Sequence, residues 1–258
     1  MLPASMESPV ILQIFNDDYL EMEENFLLVM RQNAPQRLGS MYLVCLDEGS
    51  ASRMDALFGL PCLTIKGVTT RRILLATRVK MIVCLVQGGH DVLVSDNDAL
   101  WLGDPIPDLR TIEGDMLFQR GNFPKQYRDP VHGQTLCDGF ALYRAGGEGM
   151  STFLELLTEA LVDEKSDQVS HNKAASQLHL QWEYNTSRSD MRYYNSTGVG
   201  RGVLTALPGP FVVTLLPHNK YTRHCNMTPI SEDTIIAHCF ARQHRVALMK
   251  KANLWLVD

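Results

Sequence analysis

Short apolar runs alternate with stretches of helical spacing through the first hundred residues. Val10 to Phe15 reads as a strand, closed by the turn and capping signal Asn16-Asp17-Asp18. Leu20, Phe26, Leu27 and Met30 then recur at helical spacing. Met41 to Leu46 predicts a second strand ending at Asp47, Ser52 to Leu60 a short helix, and Cys62 to Ile65 a third strand. Thr69-Thr70 can cap a helix running to Gln87, with Leu75, Val79, Ile82 and Leu85 on one face and Gly88-Gly89 as its stop. Asp91 to Ser95 reads as a fourth strand.

This alternation predicts an α/β fold with a mostly parallel sheet covered by helices on both faces. Ligands of such sheets sit beyond the carboxyl ends of the strands. The polar groups to watch are therefore Asn16, Asp47 and Asp96-Asn97-Asp98. After residue 110 the pattern loosens. Asp115 to Gln119 and Gly139 to Tyr143 read as strands, Gly149 to Leu161 and Asp167 to Leu180 as helices. Gln181 to Gly202 is polar and aromatic with little period, so it is expected as a long loop or insertion. No linker divides the chain, and a single domain over 1–258 is expected, its pattern changing at about residue 110, with a small mixed C-terminal part.

Composition narrows the class. The 258 residues are 45% hydrophobic and 21% charged, as in an ordinary globular protein, which excludes disorder and a cysteine scaffold. A formal net charge of −5 argues against a nucleic-acid partner held by the chain's overall field. No run of about 18 apolar residues crosses a membrane. The chain as written has no export signal, although Asn185, Asn195 and Asn226 each stand in an N-x-[ST] sequon. Among the six cysteines, Cys45 and Cys84 read as small buried hydrophobes, and Cys225 and Cys239 can pair in an oxidising compartment.

The chemistry concentrates in Asp91 to Pro105, which contains Asp96-Asn97-Asp98. A bare D-x-D means little: 17 Asp in this chain supply about one by chance. This pair, however, ends an apolar strand, where ionised carboxylates need compensation. Two acids one residue apart repel, and a hard divalent cation relieves that by taking oxygens from both. A solvated turn is the plain alternative. His238 follows Ile235-Ile236-Ala237, where an imidazole ligand could stand as readily as a satisfied buried histidine.

Asp91 to Pro105 also resembles the nucleotide-diphospho-sugar transferase domain of glycosyltransferase family 77. Arg71 to Val86 looks like the helix that precedes this stretch in the family, Cys137 to Arg144 like its G-F-x-x-x-R strand, Asp167 to Asn172 like its D-Q-x-x-x-N helix start, and His238 to Trp255 like its closing segment. After His238 the chain reads Cys239-Phe240-Ala241, a departure from the family pattern. The resemblance implies a GT-A-type, Rossmann-like fold and a retaining glycosyltransferase using Mn²⁺ or Mg²⁺ and a UDP-sugar. Asp96, Asp98 and His238 would hold the metal. Asn16, Asp47, Lys80, Asp96 and Gly139 would meet the nucleotide-sugar, and Asp167 and Gln168 the reacting sugar. The acceptor would be a glycan or glycoprotein, and a Golgi lumenal setting would follow if an anchor lay outside this chain. Tyr184, Tyr193 and Tyr194 could form an acceptor platform, and Arg242, His244, Arg245, Lys250 and Lys251 could steer phosphate. Two alternatives stand beside this reading. One is a haloacid-dehalogenase-like phosphatase, whose D-x-D closes the first strand rather than the fourth. The other is an inactive sugar-nucleotide or glycan-binding protein.

Overall fold

The computed structural model describes residues 8–129, 133–163, 166–183, 198–223, 225, 230–240 and 244–257. The strands are β1 (Val10–Phe15), β2 (Met41–Cys45), β3 (Cys62–Thr64), β4 (Val92–Ser95), β5 (Ala99–Trp101), β6 (Met116–Gly121), β7 (Thr135–Tyr143), β8 (Leu180–Trp182), β9 (Gly200–Leu204), β10 (Val212–Leu215), β11 (Tyr221–Thr222) and β12 (Ile236–His238). The α-helices are α1 (Leu20–Asn33), α2 (Glu48–Phe58), α3 (Arg71–Gln87), α4 (Ile106–Thr111), α5 (Glu148–Asp163), α6 (Asp167–Gln177) and α7 (Arg245–Lys251).

Nine strands form one sheet in the order β3-β2-β1-β4-β7-β6-β10-β9-β8. The strands β3, β2, β1 and β4 run parallel, as their apolar runs predict. From β7 onward the sheet is mixed: β7 is antiparallel to both neighbours, and β10 is parallel to β6 but antiparallel to β9. The expected parallel sheet with a mixed C-terminal part is thus present, the mixed part beginning at β7. Alternate residues of the parallel strands feed opposite cores. Val10, Leu12, Val92 and Val94 face α3, α5 and α6, whereas Ile11, Leu43 and Leu93 pack with Phe26, Met30 and Trp101. A second sheet has the order β11-β12-β5, and its strand β5 follows β4 after three residues.

Helix starts follow their caps. Thr70 accepts from the Ile73 amide at the start of α3. Asp47 accepts from the Ser50 amide, so α2 starts at Glu48, four residues before the expected Ser52. It ends at Gly59, whose φ of 64° suits glycine.

Further departures lie where periodicity fails. The helix read to Leu180 stops at Gln177, and Leu180–Trp182 and Gly200–Leu204 are strands inside or across the expected loop. Tyr184, Tyr193, Tyr194, Asn185, Asn195, Asn226 and Arg242 lie outside the described residues. Cys84 is exposed rather than buried, because it sits on the outer side of α3. Cys45 is buried but forms a disulfide with Cys62, and Cys225 pairs with Cys239. No described helix is long and apolar enough to cross a membrane.

Candidate active site

Parallel order reverses at β1, whose neighbours β2 and β4 follow it in sequence, and a cleft opens beyond the carboxyl ends of β1 and β4. It holds about 930 Å³, counting its open mouth, and its lining includes Gln13 of β1 and Ser95 to Asp98 beyond β4.

The D-x-D turn is tight. The Asp96 amide donates to the Gly139 carbonyl at 2.7 Å, and the Ala99 amide returns to the Asp96 carbonyl at 2.9 Å. Buried Trp101 donates its indole N–H to Ser95 Oγ at 3.2 Å, holding the strand end from behind. His238 arrives from far along the chain because β12 pairs antiparallel with β5, setting His238 opposite Ala99. Its Nε2 lies 3.1 Å from Asp98 Oδ1 and 3.9 Å from Asp96 Oδ2. One ligand atom from each of the three residues falls within 4.8 Å of the others.

The imidazole is oriented by its other nitrogen. The Gln119 amide NH₂ donates to the Tyr221 and Thr222 carbonyls at 3.0 and 2.9 Å, which leaves Gln119 Oε1 to accept from His238 Nδ1 at 2.8 Å. Nε2 therefore faces the carboxylates, the arrangement by which a partner behind the ring directs a metal-binding histidine. Both Asp98 carboxylate oxygens and His238 Nε2 are buried without a hydrogen bond. Two oxygens and an imidazole nitrogen around one point suit a hard or borderline divalent cation. With protons alone to share, burial opposes charge on His238, yet Asp98 carries its pKa up to about 10. Burial also opposes charge on Asp98, yet His238, then Arg245 and Arg223, draw it down to about 2.

A second cluster adjoins the first. Arg78 of α3 reaches Asp96 at 2.9 Å, Asp167 at 3.2 Å and the Asp138 carbonyl at 2.6 Å. Burial raises the Asp167 carboxyl to about 7, aided by Asp138 and opposed by Arg78. Asp138 is held near 2, against its burial, by His171 and Arg78. Asp167 and Gln168 open α6, which is fastened to β7 by Asn172: its side chain accepts from the Leu136 amide and donates to the Leu136 carbonyl, each at 2.9 Å. Gln168 donates to the Phe123 carbonyl at 2.7 Å. At the mouth, Arg223 and Arg245 lie over the exposed Phe240 ring at 5.0 and 5.9 Å, and Arg245 Nε reaches Asp98 Oδ2 at 3.1 Å.

Asp96, Asp98, Gly139, Asp167, Gln168, His238 and Arg245 thus meet in one cleft. Asn16, Asp47 and Lys80 are not among its described lining residues. Asp47 has both oxygens engaged, by the Ser50 amide and hydroxyl and by the Asp17 amide. Asn16 donates to Asp18, and Lys80 lies on the exposed face of α3. Arg78, two residues earlier, points inward instead. Its signal was legible: a cation among Leu75, Val79 and Ile82 sits on the apolar face and needs a buried partner. Asp138 and Gln119 left no comparable trace, because the register of β6 and β7 slips there. Phe118 faces Ala141 but Gln119 faces Cys137, and this bulge leaves Asp138 and Gly139 lining the cleft.

A model of the nucleotide-diphospho-sugar transferase family matches residues 66–248. The chain belongs to this family. The match covers α3, the D-x-D turn, β7, α6 and β12, the elements that build the cleft. It sets aside the phosphatase alternative. Comparison with curated proteins returns no match. Among solved structures, the fold is similar to that of the glycosyltransferase GlyE of Streptococcus pneumoniae TIGR4, with 14% identity and a TM-score of 0.56 over 98% of this chain and 61% of GlyE. The apo form of GlyE matches at 13% identity and the same TM-score over the same shares. The chain therefore spans 61% of the length of the GlyE chain. Its fold is that of GT-A glycosyltransferases.

Proposed function

We propose that this chain transfers a sugar from a nucleotide donor, a UDP-sugar, to an acceptor hydroxyl on a glycan or glycoprotein, with retention of anomeric configuration and with a bound Mn²⁺ or Mg²⁺. The observation that carries this reading is the convergence of Asp96, Asp98 and His238 at the switch point of the sheet, with both Asp98 carboxylate oxygens and His238 Nε2 buried and without a hydrogen bond. These three side chains would hold the cation, which as a Lewis acid neutralises charge on a departing diphosphate.

The chain's own residues supply the remainder. Arg223 and Arg245 flank the mouth as cations for the diphosphate oxygens. Arg78 keeps Asp96 and Asp167 in place, and Gly139 leaves room for the His238 imidazole beside Asp96. Asp167 and Gln168, at the start of α6, steady the oxocarbenium-like sugar. The acceptor hydroxyl attacks on the face from which the diphosphate departs, and its proton passes to the leaving phosphate oxygen. The two disulfides and the sequons fit an oxidising lumenal compartment.

The direct test is to titrate UDP with and without Mn²⁺ and then to assay hydrolysis of a panel of UDP-sugars. Asp98→Ala is expected to abolish cation-dependent UDP binding and turnover while leaving circular dichroism unchanged. Undiminished activity in that variant overturns the cation's role.

A further inference from the structure

We infer that the Cys225–Cys239 disulfide is a positioning element of the cation site, so that the site is fully assembled only in the oxidised chain. The inference rests on the cation-site reading and concerns what holds that site in register.

His238 and the carbonyls that fix its partner Gln119 sit on two very short strands. β12, which carries His238, has three residues, and β11 has two. β11 supplies the Tyr221 and Thr222 carbonyls that fix the Gln119 amide, and Gln119 in turn fixes His238. The two strands pair only as Tyr221 with Ile236 and Thr222 with Ala237. So short a ladder does not hold two segments in register by itself. The covalent tie falls just beyond both strand ends. Cys239 follows His238 directly, and its amide donates to the Asp98 carbonyl at 2.7 Å. Cys225 stands two residues after Arg223, which lines the same cleft. Both half-cystines are buried. One bond therefore joins the arm bearing the imidazole to the arm bearing the acceptors that orient it.

Reduction by a dithiol such as dithiothreitol delivers two electrons and two protons to the Sγ–Sγ bond. It leaves two cysteine thiols while the reductant closes to its cyclic disulfide. The arms are then joined only by non-covalent links, the two-residue ladder, the Ile235 and Ile236 amides on the Lys220 carbonyl and the Gln119 side chain, and the cation site loosens. The second disulfide, Cys45–Cys62, joins β2 to β3, and neither half-cystine is next in sequence to a described residue lining the cleft, whereas Cys239 lies between His238 and Phe240, so Cys45–Cys62 serves as an internal control.

The test measures Mn²⁺ binding by electron paramagnetic resonance on the full chain, in the presence of UDP, with unfolding in urea followed alongside. The protein is compared oxidised, as Cys225→Ser/Cys239→Ser, and as Cys45→Ser/Cys62→Ser; serine avoids leaving a thiol that could itself bind metal. Loss of the site disulfide is expected to weaken Mn²⁺ binding about tenfold or more, while the control variant stays within about twofold of the oxidised protein. The Cys45→Ser/Cys62→Ser protein, folded and then treated with dithiothreitol, opens the site disulfide alone and is expected to show the same loss even if the serine variant at the site does not fold. Unchanged Mn²⁺ affinity overturns the inference, as does a loss shared by both variants in step with stability. Absence of Mn²⁺ binding in the oxidised protein overturns the cation-site reading and this inference together.

Discussion

Gly139 and His238 are matched in size as well as in position: a Cβ on Gly139 would stand 2.3 Å from His238 Cε1 and 3.0 Å from Asp96 Oδ2. No side chain fits there while the imidazole keeps its place between Gln119 and Asp98.

The first prediction follows from that contact. Gly139→Ala is expected to displace His238 and to weaken Mn²⁺ binding by at least about tenfold, in the range found when partners of metal ligands are disturbed. Mn²⁺ titration with a parallel thermal melt checks it. Unchanged affinity would show that the ring is free to move aside.

Arg78 is the common counter-ion of Asp96 and Asp167. Its guanidinium and the Asp167 carboxylate are both buried, so Arg78→Met leaves Asp167 without a cation. The expected cost is about 3–5 kcal/mol in urea unfolding, the range for stranding one partner of a buried pair. Arg78→Lys should recover only part of this, because one ammonium cannot span two carboxylates and the Asp138 carbonyl in the guanidinium's geometry. Full stability in Arg78→Met would remove Arg78 as the support of the cluster.

Asp47 and Lys80 should separate cleanly from the cleft. Asp47→Ala removes the α2 cap and is expected to cost about 0.5–2 kcal/mol of stability. Calorimetry should find UDP affinity unchanged, within about twofold, for both Asp47→Ala and Lys80→Ala. A large loss of UDP binding in either would place that side chain at the nucleotide.

Glu23 sets a pH dependence remote from the cleft. It is fully buried in α1, neither carboxyl oxygen has a hydrogen-bond partner, and burial raises its pKa from 4.5 to about 8. The folded chain therefore keeps a proton that the unfolded chain gives up. The favourable contribution is complete below pH 4.5 and is lost as pH rises towards about 8. Relative to Glu23→Gln, the native protein should lose stability across that window with a slope of up to about 1.4 kcal/mol per pH unit. Urea unfolding at several pH values reads this directly, and parallel curves would contradict it.

What the amino-acid sequence determined by itself was local. The alternation from Val10 to Ser95 announced strands and helices because neighbours two, three or four residues apart decide which face is buried. Two acids at the end of an apolar strand, and a histidine after another, marked the chemistry because charge is costly at such places. The expected helix cap at Thr70 and the Asp96–Asp98 turn stand where those signals lay.

Only the tertiary structure decided which of these groups meet. His238 reaches Asp98 through the pairing of β12 with β5, across some 140 residues. Arg78 rather than Lys80 enters the cleft because α3 packs by its apolar face, and Asp138 and Gly139 line it at a slip in the register of β6 and β7. Strand order, crossover and register arise from contacts between distant segments, and their energies leave no periodic mark on the chain. The same reason explains Cys45, whose neighbours describe a buried apolar residue and whose partner, Cys62, is chosen by the adjacency of β2 and β3.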